Sequence, residues 1–259
     1  MRIDDLDPGR TVAGAADEIL RTLEIFALHW DDEVIYQSGR TAEYRAVADT
    51  LLRRGAAFRC TCSRRALREH IEDPELGPRY PGTCRQRRLT SPDTAIRVRV
   101  DAPEPVEIDD LIQGRISIDV GALVGDYVIY RRDRVPAYHL AVVVDDEAQG
   151  VTTVVRGSDL LRSTGVHLHL GGLLGYRPAR YGHVPVLTHA SGEKMSKQRG
   201  AAQIDTDRPQ AVAAAILEGL GSRPPRALIG APPAELWTWA TEHWRPDELR
   251  GRLSIVAED

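Results

Sequence analysis

The apolar positions of the first sixty residues alternate between helical and strand periods. Between Thr11 and Leu28 they recur at intervals of three and four, which predicts an amphipathic helix. The stretch "VIYQS" is typical of a short strand, a second helical pattern runs from Tyr44 to Leu52, and "AAFRC" again indicates a strand. This αβαβ order predicts the first part of a doubly wound α/β sheet.

From Cys60 to about Val124 the pattern changes. This part is rich in arginine and proline and then alternates in "IRVRV", "VEIDD" and "GRISIDV", which predicts small antiparallel strands in an inserted subdomain. The α/β pattern then returns with a strand at "VTTVVRG" and a helix over "SDLLRSTGVHLHLGGLLG". Ser158 or Asp159 is expected to cap that helix. A further strand, "HVPVLTH", leads into the loop "ASGEKMSKQRG".

The predicted fold class is α/β: a Rossmann-type parallel sheet, an inserted α+β subdomain and a helical C-terminal extension. The expected parts are 1–59 for what is present of the first Rossmann half, 60–124 for the inserted subdomain, 125–200 for the second half and 201–259 for the extension.

Composition places the chain among ordinary globular proteins. Of its 259 residues 42% are hydrophobic and 28% are charged, with a net charge of −4. No apolar run has the length of a membrane span, and the N-terminus lacks the apolar core of a signal peptide. We therefore expect a cytoplasmic protein that does not bind membranes.

Lysine is the residue type whose distribution is most informative. Of 34 basic residues, only Lys194 and Lys197 are lysines, and both lie in the loop "GEKMSKQRG". Lysine is a compact, mobile point charge, whereas arginine is a planar fork. Two ammonium groups in one loop suit a phosphate chain on which negative charge grows during a reaction. The alternative is an exposed, solvated pair of lysines.

Three cysteines form a candidate metal site. One residue separates Cys60 from Cys62, and Cys84 follows after twenty-one further residues. This spacing indicates soft metal ligands rather than a disulfide framework. Zinc takes four ligands in structural sites, and the candidates for the fourth are His70 and Tyr80. Chemistry alone favours His70, because a neutral imidazole binds without losing a proton, whereas a phenol must lose one. Three unliganded thiols are the alternative.

Two further side chains could hold a small anionic ligand. Arg156 follows a predicted strand at the end where open α/β sheets bind ligands, and its guanidinium can bind a carboxylate with two hydrogen bonds. Tyr138 offers a hydroxyl and an aromatic wall. Taken singly, these residues could equally be a surface ion pair and a buried phenol with its hydrogen bond satisfied.

The motifs in combination resemble a known family. "KMSKQ" resembles the KMSKS loop of class I aminoacyl-tRNA synthetases, and "RIDDLDPGR" resembles a segment of their glutamate and glutamine members. "AYHLAVVVDD" and "GVTTVVRGSDLL" resemble the amino-acid pocket of those members. Only some sixty residues follow Gly200, too few for an anticodon-binding domain. With the early cysteine cluster, this pattern is similar to the glutamyl-Q tRNA(Asp) synthetases.

The resemblance implies an activity. Members of that family activate L-glutamate with ATP and attach it to queuosine, the modified base in the anticodon of tRNA(Asp). It implies that Asp4, Tyr138 and Arg156 bind glutamate, with aspartate at position 4 where the family usually has glutamate. It also implies catalytic roles for Lys194 and Lys197, with Lys197 binding ATP.

The resemblance also implies the cofactors and partners. A family pattern of Cys-x-Cys followed by Tyr-x3-Cys matches "YPGTC" and selects Tyr80 as the fourth ligand, beside the three cysteines, of one structural Zn²⁺; His70 stays open as the alternative. The expected partners are L-glutamate, ATP with Mg²⁺, and tRNA(Asp) carrying queuosine, and a monomer is expected.

One segment of the family pattern has no counterpart in the sequence. Class I synthetases carry a strand and a helix with the HIGH motif before the segment that resembles "RIDDLD", and no HIGH-like stretch occurs in the 259 residues. We therefore expect the natural start to lie upstream of Met1. Two alternatives stay open: a non-catalytic, zinc-stabilised tRNA-binding remnant, and a class I ligase that joins an amino acid to a small molecule.

Overall fold

The computed structural model describes residues 1–9, 11–63, 65–67, 70, 72–101, 104–192, 194–195 and 204–256. The α-helices are α1 (Ala15–Ile25), α2 (Thr41–Arg53), α3 (Val120–Leu123), α4 (Tyr138–Ala148), α5 (Leu161–Leu174), α6 (Pro209–Gly219) and α7 (Pro233–His243). The strands are β1 (Arg2–Ile3), β2 (Ile35–Tyr36), β3 (Ala57–Cys60), β4 (Glu72–Asp73), β5 (Gly77–Pro78), β6 (Ala95–Val98), β7 (Val106–Asp110), β8 (Gly114–Ile118), β9 (Val128–Tyr130), β10 (Thr153–Gly157), β11 (Arg180–Val184), β12 (Val186–Thr188) and β13 (Ser254–Val256). None of the helices in these ranges has both the length and the apolar character that crossing a membrane requires.

The strands form small sheets of mixed direction. β1 with β2, β10 with β11, and β12 with β13 are parallel pairs. β7 and β8 form an antiparallel hairpin, as expected from "VEIDD" and "GRISIDV". The expected single strand "HVPVLTH" is instead two, because Pro185 has no N–H to donate to a neighbouring strand and separates β11 from β12.

Strand β3 differs most from its prediction. It was expected to continue the doubly wound parallel pattern, but it pairs antiparallel with β6, which pairs antiparallel with β9. The physical reason is connectivity, because the described part of the chain between β3 and β6 contains two short strands and a 3₁₀ turn but no α-helix that could serve as a crossover. The prediction of a uniformly parallel sheet is therefore wrong at this point.

The main core lies between α2, α4 and α5 on one side and the β3–β6–β9 sheet on the other. Its most deeply buried side chains include Tyr44, Leu51, Ile96, Ile129, Leu140 and Leu170. A second apolar cluster joins α6 and α7 to Phe26, which follows α1. Helix α4 contributes Leu140, Ala141, Val143 and Val144 to the main cluster.

The start of α5 corrects a second prediction. Neither Ser158 nor Asp159 caps this helix, since both lie in a 3₁₀ turn before Leu161. The carboxylate of Glu75, from the turn between β4 and β5, accepts hydrogen bonds from the backbone N–H groups of Arg162 at 2.9 Å and Ser163 at 2.5 Å. A distant acid therefore binds the free N–H groups of this helix terminus.

Candidate functional site

A cleft of about 1410 Å³ opens beside β1 and the start of α4. Asp4 and Tyr138, both predicted to bind glutamate, line it. Cys62 of the cysteine cluster also lines it, together with residues of the inserted segment such as Leu76. One cavity therefore connects the predicted amino-acid pocket with the neighbourhood of the predicted metal site.

Arg156, near the end of β10, reaches this cleft through its contact with Tyr138, which lines it. Its Nη2 donates to the carbonyl oxygen of Leu160 at 3.0 Å and to Thr164 Oγ1 at 2.8 Å. Its Nη1 lies 3.4 Å from the hydroxyl oxygen of Tyr138. The structure thus brings two of the three predicted glutamate-binding residues into contact.

Two histidines complete the surroundings of Arg156. Its Nη1 lies 3.4 Å from His167 Nδ1, and its Nε donates to His183 Nε2 at 3.4 Å. Burial lowers the pKa of His167 well below its usual value, and burial is also the main reason why the pKa of His183 is lowered. Both imidazoles are therefore neutral near pH 7 and can accept hydrogen bonds from the guanidinium.

All of these acceptors are uncharged, and this matters for the chemistry of Arg156. In the described part of the chain, Arg156 forms no ion pair with a carboxylate. Neutral acceptors orient a guanidinium without neutralising it, so its charge stays available for an anionic ligand. The arrangement can therefore bind a carboxylate.

Asp4 lines the cleft and is held by Arg2 of β1. Arg2 Nε donates to Asp4 Oδ1 at 3.2 Å, and Arg2 Nη1 donates to Asp146 Oδ1 at 2.7 Å. Burial is the main reason why the pKa of Asp4 is raised above its usual value, and Arg2 opposes that shift. The carboxylate faces the cleft with 46% of its side chain exposed, so it can meet a cation such as an ammonium group.

A buried acid in α4, Asp145, lies beside Arg2, with 3.9 Å between Arg2 Nε and Asp145 Oδ2. Asp145 is 1% exposed and accepts hydrogen bonds from Gln37 at 2.8 Å and Tyr44 at 2.7 Å, and from Arg40 at 2.8 Å. Several donors offset the cost of burying one carboxylate. The sequence indicates "VVVDD" only as part of the segment that resembles the amino-acid pocket. It does not indicate the hydrogen bonds of Asp145, because their donors lie about one hundred residues earlier in the chain.

The structure brings together the four residues predicted to bind zinc. The three cysteine sulfurs lie within 4.8 Å of one another, with 3.7 Å between Cys62 and Cys84. The phenol oxygen of Tyr80 is 3.4 Å from Cys60 Sγ and 3.9 Å from Cys62 Sγ. A tetrahedral zinc with sulfur near 2.3 Å and oxygen near 2.0 Å needs about 3.8 Å between sulfurs and about 3.5 Å between sulfur and oxygen. The donor set fits a zinc ion.

His70, the alternative fourth ligand, is exposed and lies outside this group of candidate ligand atoms. Within the group, burial by itself raises the pKa of the Cys84 thiol, but hydrogen bonds from Thr61 and Tyr80 outweigh it and lower the pKa to about 6. Burial raises the pKa of the Cys62 thiol to about 11. Cys84 is therefore more readily ionised at neutral pH than Cys62, and the thiolate is the form that binds metal.

Of the two predicted catalytic lysines, the structure places one. Lys194 donates from Nζ to Asp159 Oδ2 at 2.9 Å, and the side chains of both are 30% exposed. Asp159 lies three residues after Arg156, so this ion pair joins the loop to the 3₁₀ turn that follows β10. Lys197 lies outside the described residues.

Comparison with protein families gives one match, to tRNA synthetases class I (E and Q), catalytic domain, over residues 1–219. The chain is 41% identical over 260 residues to the glutamyl-Q tRNA(Asp) synthetase of Pseudomonas entomophila (strain L48), covering 100% of this chain and 85% of that protein. It is 46% identical over 246 residues to the protein of the same name from Methylococcus capsulatus (strain ATCC 33009 / NCIMB 11132 / Bath), covering 94% and 79%.

Solved structures show a similar fold. A crystal structure of glutamate-tRNA synthetase from Elizabethkingia anophelis superposes with a TM-score of 0.75 at 18% identity, over 99% of this chain and 60% of that one. A glutamate tRNA ligase from Elizabethkingia meningosepticum, in complex with its amino acid, gives 0.62 at 22%, over 74% and 44%. This chain therefore spans about half the length of those two proteins and has the class I synthetase catalytic fold with mixed sheets.

Proposed function

Because the chain belongs to the class I glutamyl- and glutaminyl-tRNA synthetase family, and to the glutamyl-Q tRNA(Asp) synthetases within it, we propose that it activates L-glutamate with ATP and transfers it to queuosine in the anticodon of tRNA(Asp). The reaction is that of a cytoplasmic ligase. ATP enters with Mg²⁺, and the chain acts as a monomer.

The observation that supports this proposal most is the charge arrangement of the pocket. Arg156 offers an unneutralised guanidinium for one carboxylate of glutamate, held by uncharged acceptors. Tyr138 adds a hydroxyl beside it, and Asp4 supplies the negative charge for the substrate ammonium. A free amino acid needs such a pair of opposite charges.

The lysine loop supplies the phosphate chemistry in this proposal. Lys194 pairs with Asp159, just after β10. In the proposed reaction, the α-carboxylate of a bound glutamate attacks the α-phosphorus of ATP. The carboxylate oxygen forms the new bond to phosphorus, and pyrophosphate leaves with the electron pair of the broken bond. Lys194, together with Lys197, balances the charge that develops on the leaving pyrophosphate.

We further propose that Cys60, Cys62, Tyr80 and Cys84 hold one structural zinc ion. The four donor atoms converge, and a small apolar cluster that includes Phe58 and Leu67 surrounds them. Zinc would cross-link this segment, which has too few apolar side chains for a large core of its own. We also propose that the chain consists of the four parts 1–59, 60–124, 125–200 and 201–259, with the zinc site in the second.

Two assays test the proposal in sequence. Exchange of labelled pyrophosphate into ATP is expected only when L-glutamate is present. Arg156→Gln is expected to raise the KM for glutamate about 10- to 100-fold, the effect of losing a hydrogen bond to a charged group. Arg180→Gln, an exposed arginine on the neighbouring strand β11, is the matched control and should leave the exchange rate unchanged.

The second assay follows transfer of labelled glutamate to tRNA(Asp) with and without queuosine. Labelling of the queuosine form alone is expected. Glutamate-dependent exchange without transfer to either tRNA would contradict the proposed acceptor, whereas absence of exchange would favour the tRNA-binding remnant.

A further inference from the structure

Four side chains from four different elements form one hydrogen-bonded chain behind the pocket. Asp110 ends β7, His183 lies in β11, Thr164 lies in the first turn of α5 and Arg156 lies in β10. His183 Nδ1 is 2.6 Å from Asp110 Oδ2, and its Nε2 is 3.0 Å from Thr164 Oγ1 and 3.4 Å from Arg156 Nε. Asp110 and His183 have fully buried side chains, so water does not compete for these contacts.

We propose that Asp110 and His183 are positioning residues for Arg156, and that Asp110 does so by selecting the tautomer of His183. This inference rests on the proposed function, because it assigns Arg156 to glutamate. The carboxylate of Asp110 can only accept from His183 Nδ1–H, which leaves Nε2 without a proton. That nitrogen is then the acceptor that Arg156 Nε–H requires.

Three backbone N–H groups fix the orientation of the Asp110 carboxylate by donating to its second oxygen, Oδ1. Its Oδ1 accepts from the backbone N–H groups of Ile112 at 3.0 Å, Gln113 at 2.8 Å and His183 at 3.1 Å. These bonds lock the carboxylate in the β7–β8 turn and leave Oδ2 for the imidazole. The β7–β8 hairpin of the inserted segment is thereby connected to the guanidinium of Arg156 through His183.

Asp110→Asn tests the tautomer directly. The amide oxygen can keep the three backbone hydrogen bonds, while the amide N–H₂ faces Nδ1 as a donor and moves the imidazole proton to Nε2. Two donors, His183 Nε2–H and Arg156 Nε–H, then face each other and cannot form a hydrogen bond. Asp109→Asn is the matched control, since it changes the same charge on the exposed side of the same strand.

The experiment measures three quantities on the full chain: the Kd for L-glutamate by calorimetry, KM and kcat in pyrophosphate exchange, and the ¹⁵N shifts of the His183 ring nitrogens. For Asp110→Asn we expect exchanged ¹⁵N shifts, a Kd and a glutamate KM raised about 10- to 100-fold, and an ATP KM unchanged. His183→Gln, which keeps an oxygen near Nε2, should bind glutamate more tightly than His183→Asn, and Asp109→Asn should match the wild type.

The outcomes separate this inference from the proposed function. A wild type that binds no glutamate would overturn both. A wild type that binds glutamate, with Asp110→Asn folded, its tautomer exchanged and its Kd unchanged, would overturn the positioning role alone. Equal losses of glutamate and ATP affinity together with a lower melting temperature would assign Asp110 a purely structural role and also overturn the inference. If Asp110→Asn does not fold, the two His183 variants decide by the order of their glutamate Kd values.

Discussion

At the scale of single residues, side-chain chemistry alone favours His70 as the fourth zinc ligand, whereas the family pattern selects Tyr80. Imidazole is the better ligand in isolation, but the position of the phenol oxygen near the sulfurs of Cys60 and Cys62 supports Tyr80, since His70 is not in that group. A ligand must first be within reach of the metal, and only then does its proton affinity matter.

The choice of Tyr80 leads to a testable difference. Tyr80→Phe removes the phenol oxygen and is expected to weaken zinc binding by at least tenfold, whereas His70→Ala, the matched control, should leave it unchanged. Zinc content after dialysis against a graded chelator, read by mass spectrometry of the metal, measures this. Loss of zinc from His70→Ala with retention in Tyr80→Phe would reverse the assignment.

A second residue-scale prediction concerns pH. Burial lowers the pKa of His139 to about 4 from an ordinary value near 6.5. Between these two pH values the unfolded chain binds the proton and the folded chain does not, so stability is lost as the pH falls through this window. The contribution of His139 amounts to ~3 kcal/mol at most. Urea unfolding at pH 7, 6 and 5 measures the decline.

The matching variants separate this histidine from others. His139→Gln should decline less than the wild type between pH 7 and 5, while His29→Gln, at an exposed position, should follow the wild type. If His139→Gln and the wild type lose stability in parallel, the lowered pKa of His139 is not responsible.

At the scale of secondary-structure elements, α5 shows how a local rule can be replaced by a distant contact. Ser158 and Asp159 are good capping residues in sequence, but Asp159 pairs with Lys194 and Ser158 donates to the carbonyl of Leu253. Glu75, about ninety residues earlier, binds the N–H groups that they would have capped. No periodic pattern could have indicated that contact.

Glu75 should therefore stabilise α5 measurably. Glu75→Ala leaves two N–H groups at the helix start without their acceptor and is expected to lower the free energy of unfolding by about 1–2 kcal/mol. Glu75→Gln keeps one acceptor and should lose less. Glu104→Ala, an exposed acid of the same inserted segment, is the control for loss of charge. Equal stabilities of the Glu75 and Glu104 variants would contradict the capping role.

At the scale of the whole molecule, the inserted segment connects to the predicted pocket at two points. Glu75 binds the start of α5 and lies between Cys62 and Cys84 in the chain, and Asp110 binds His183. The segment was expected to be a separate subdomain, and its docking on β11 and α5 was not foreseen. Contacts between residues far apart in sequence leave no trace in local periodicity.

Removal of zinc should test how far this docking depends on the metal. With a chelator, we expect a loss of strand signal in far-ultraviolet circular dichroism and a higher Kd for L-glutamate, because Glu75 lies in the part of the chain between Cys62 and Cys84. Re-addition of zinc should restore both. Complete metal removal with an unchanged spectrum would contradict the structural role of zinc.

The sequence by itself determined the helices of strong periodicity, the α/β class, the family and the short set of residues with suitable chemistry, because period, residue type and spacing are local properties of the chain. Arg156 could be named as a candidate carboxylate ligand from its place at the end of a strand together with the resemblance of the surrounding motifs. Only the tertiary structure decided that its neighbours are neutral imidazoles and a hydroxyl, that β3 runs antiparallel, and that Glu75 caps α5. The burial of a side chain, the tautomer of a histidine and the charge around an arginine depend on which distant segments come into contact. The packing of the folded chain determines those contacts.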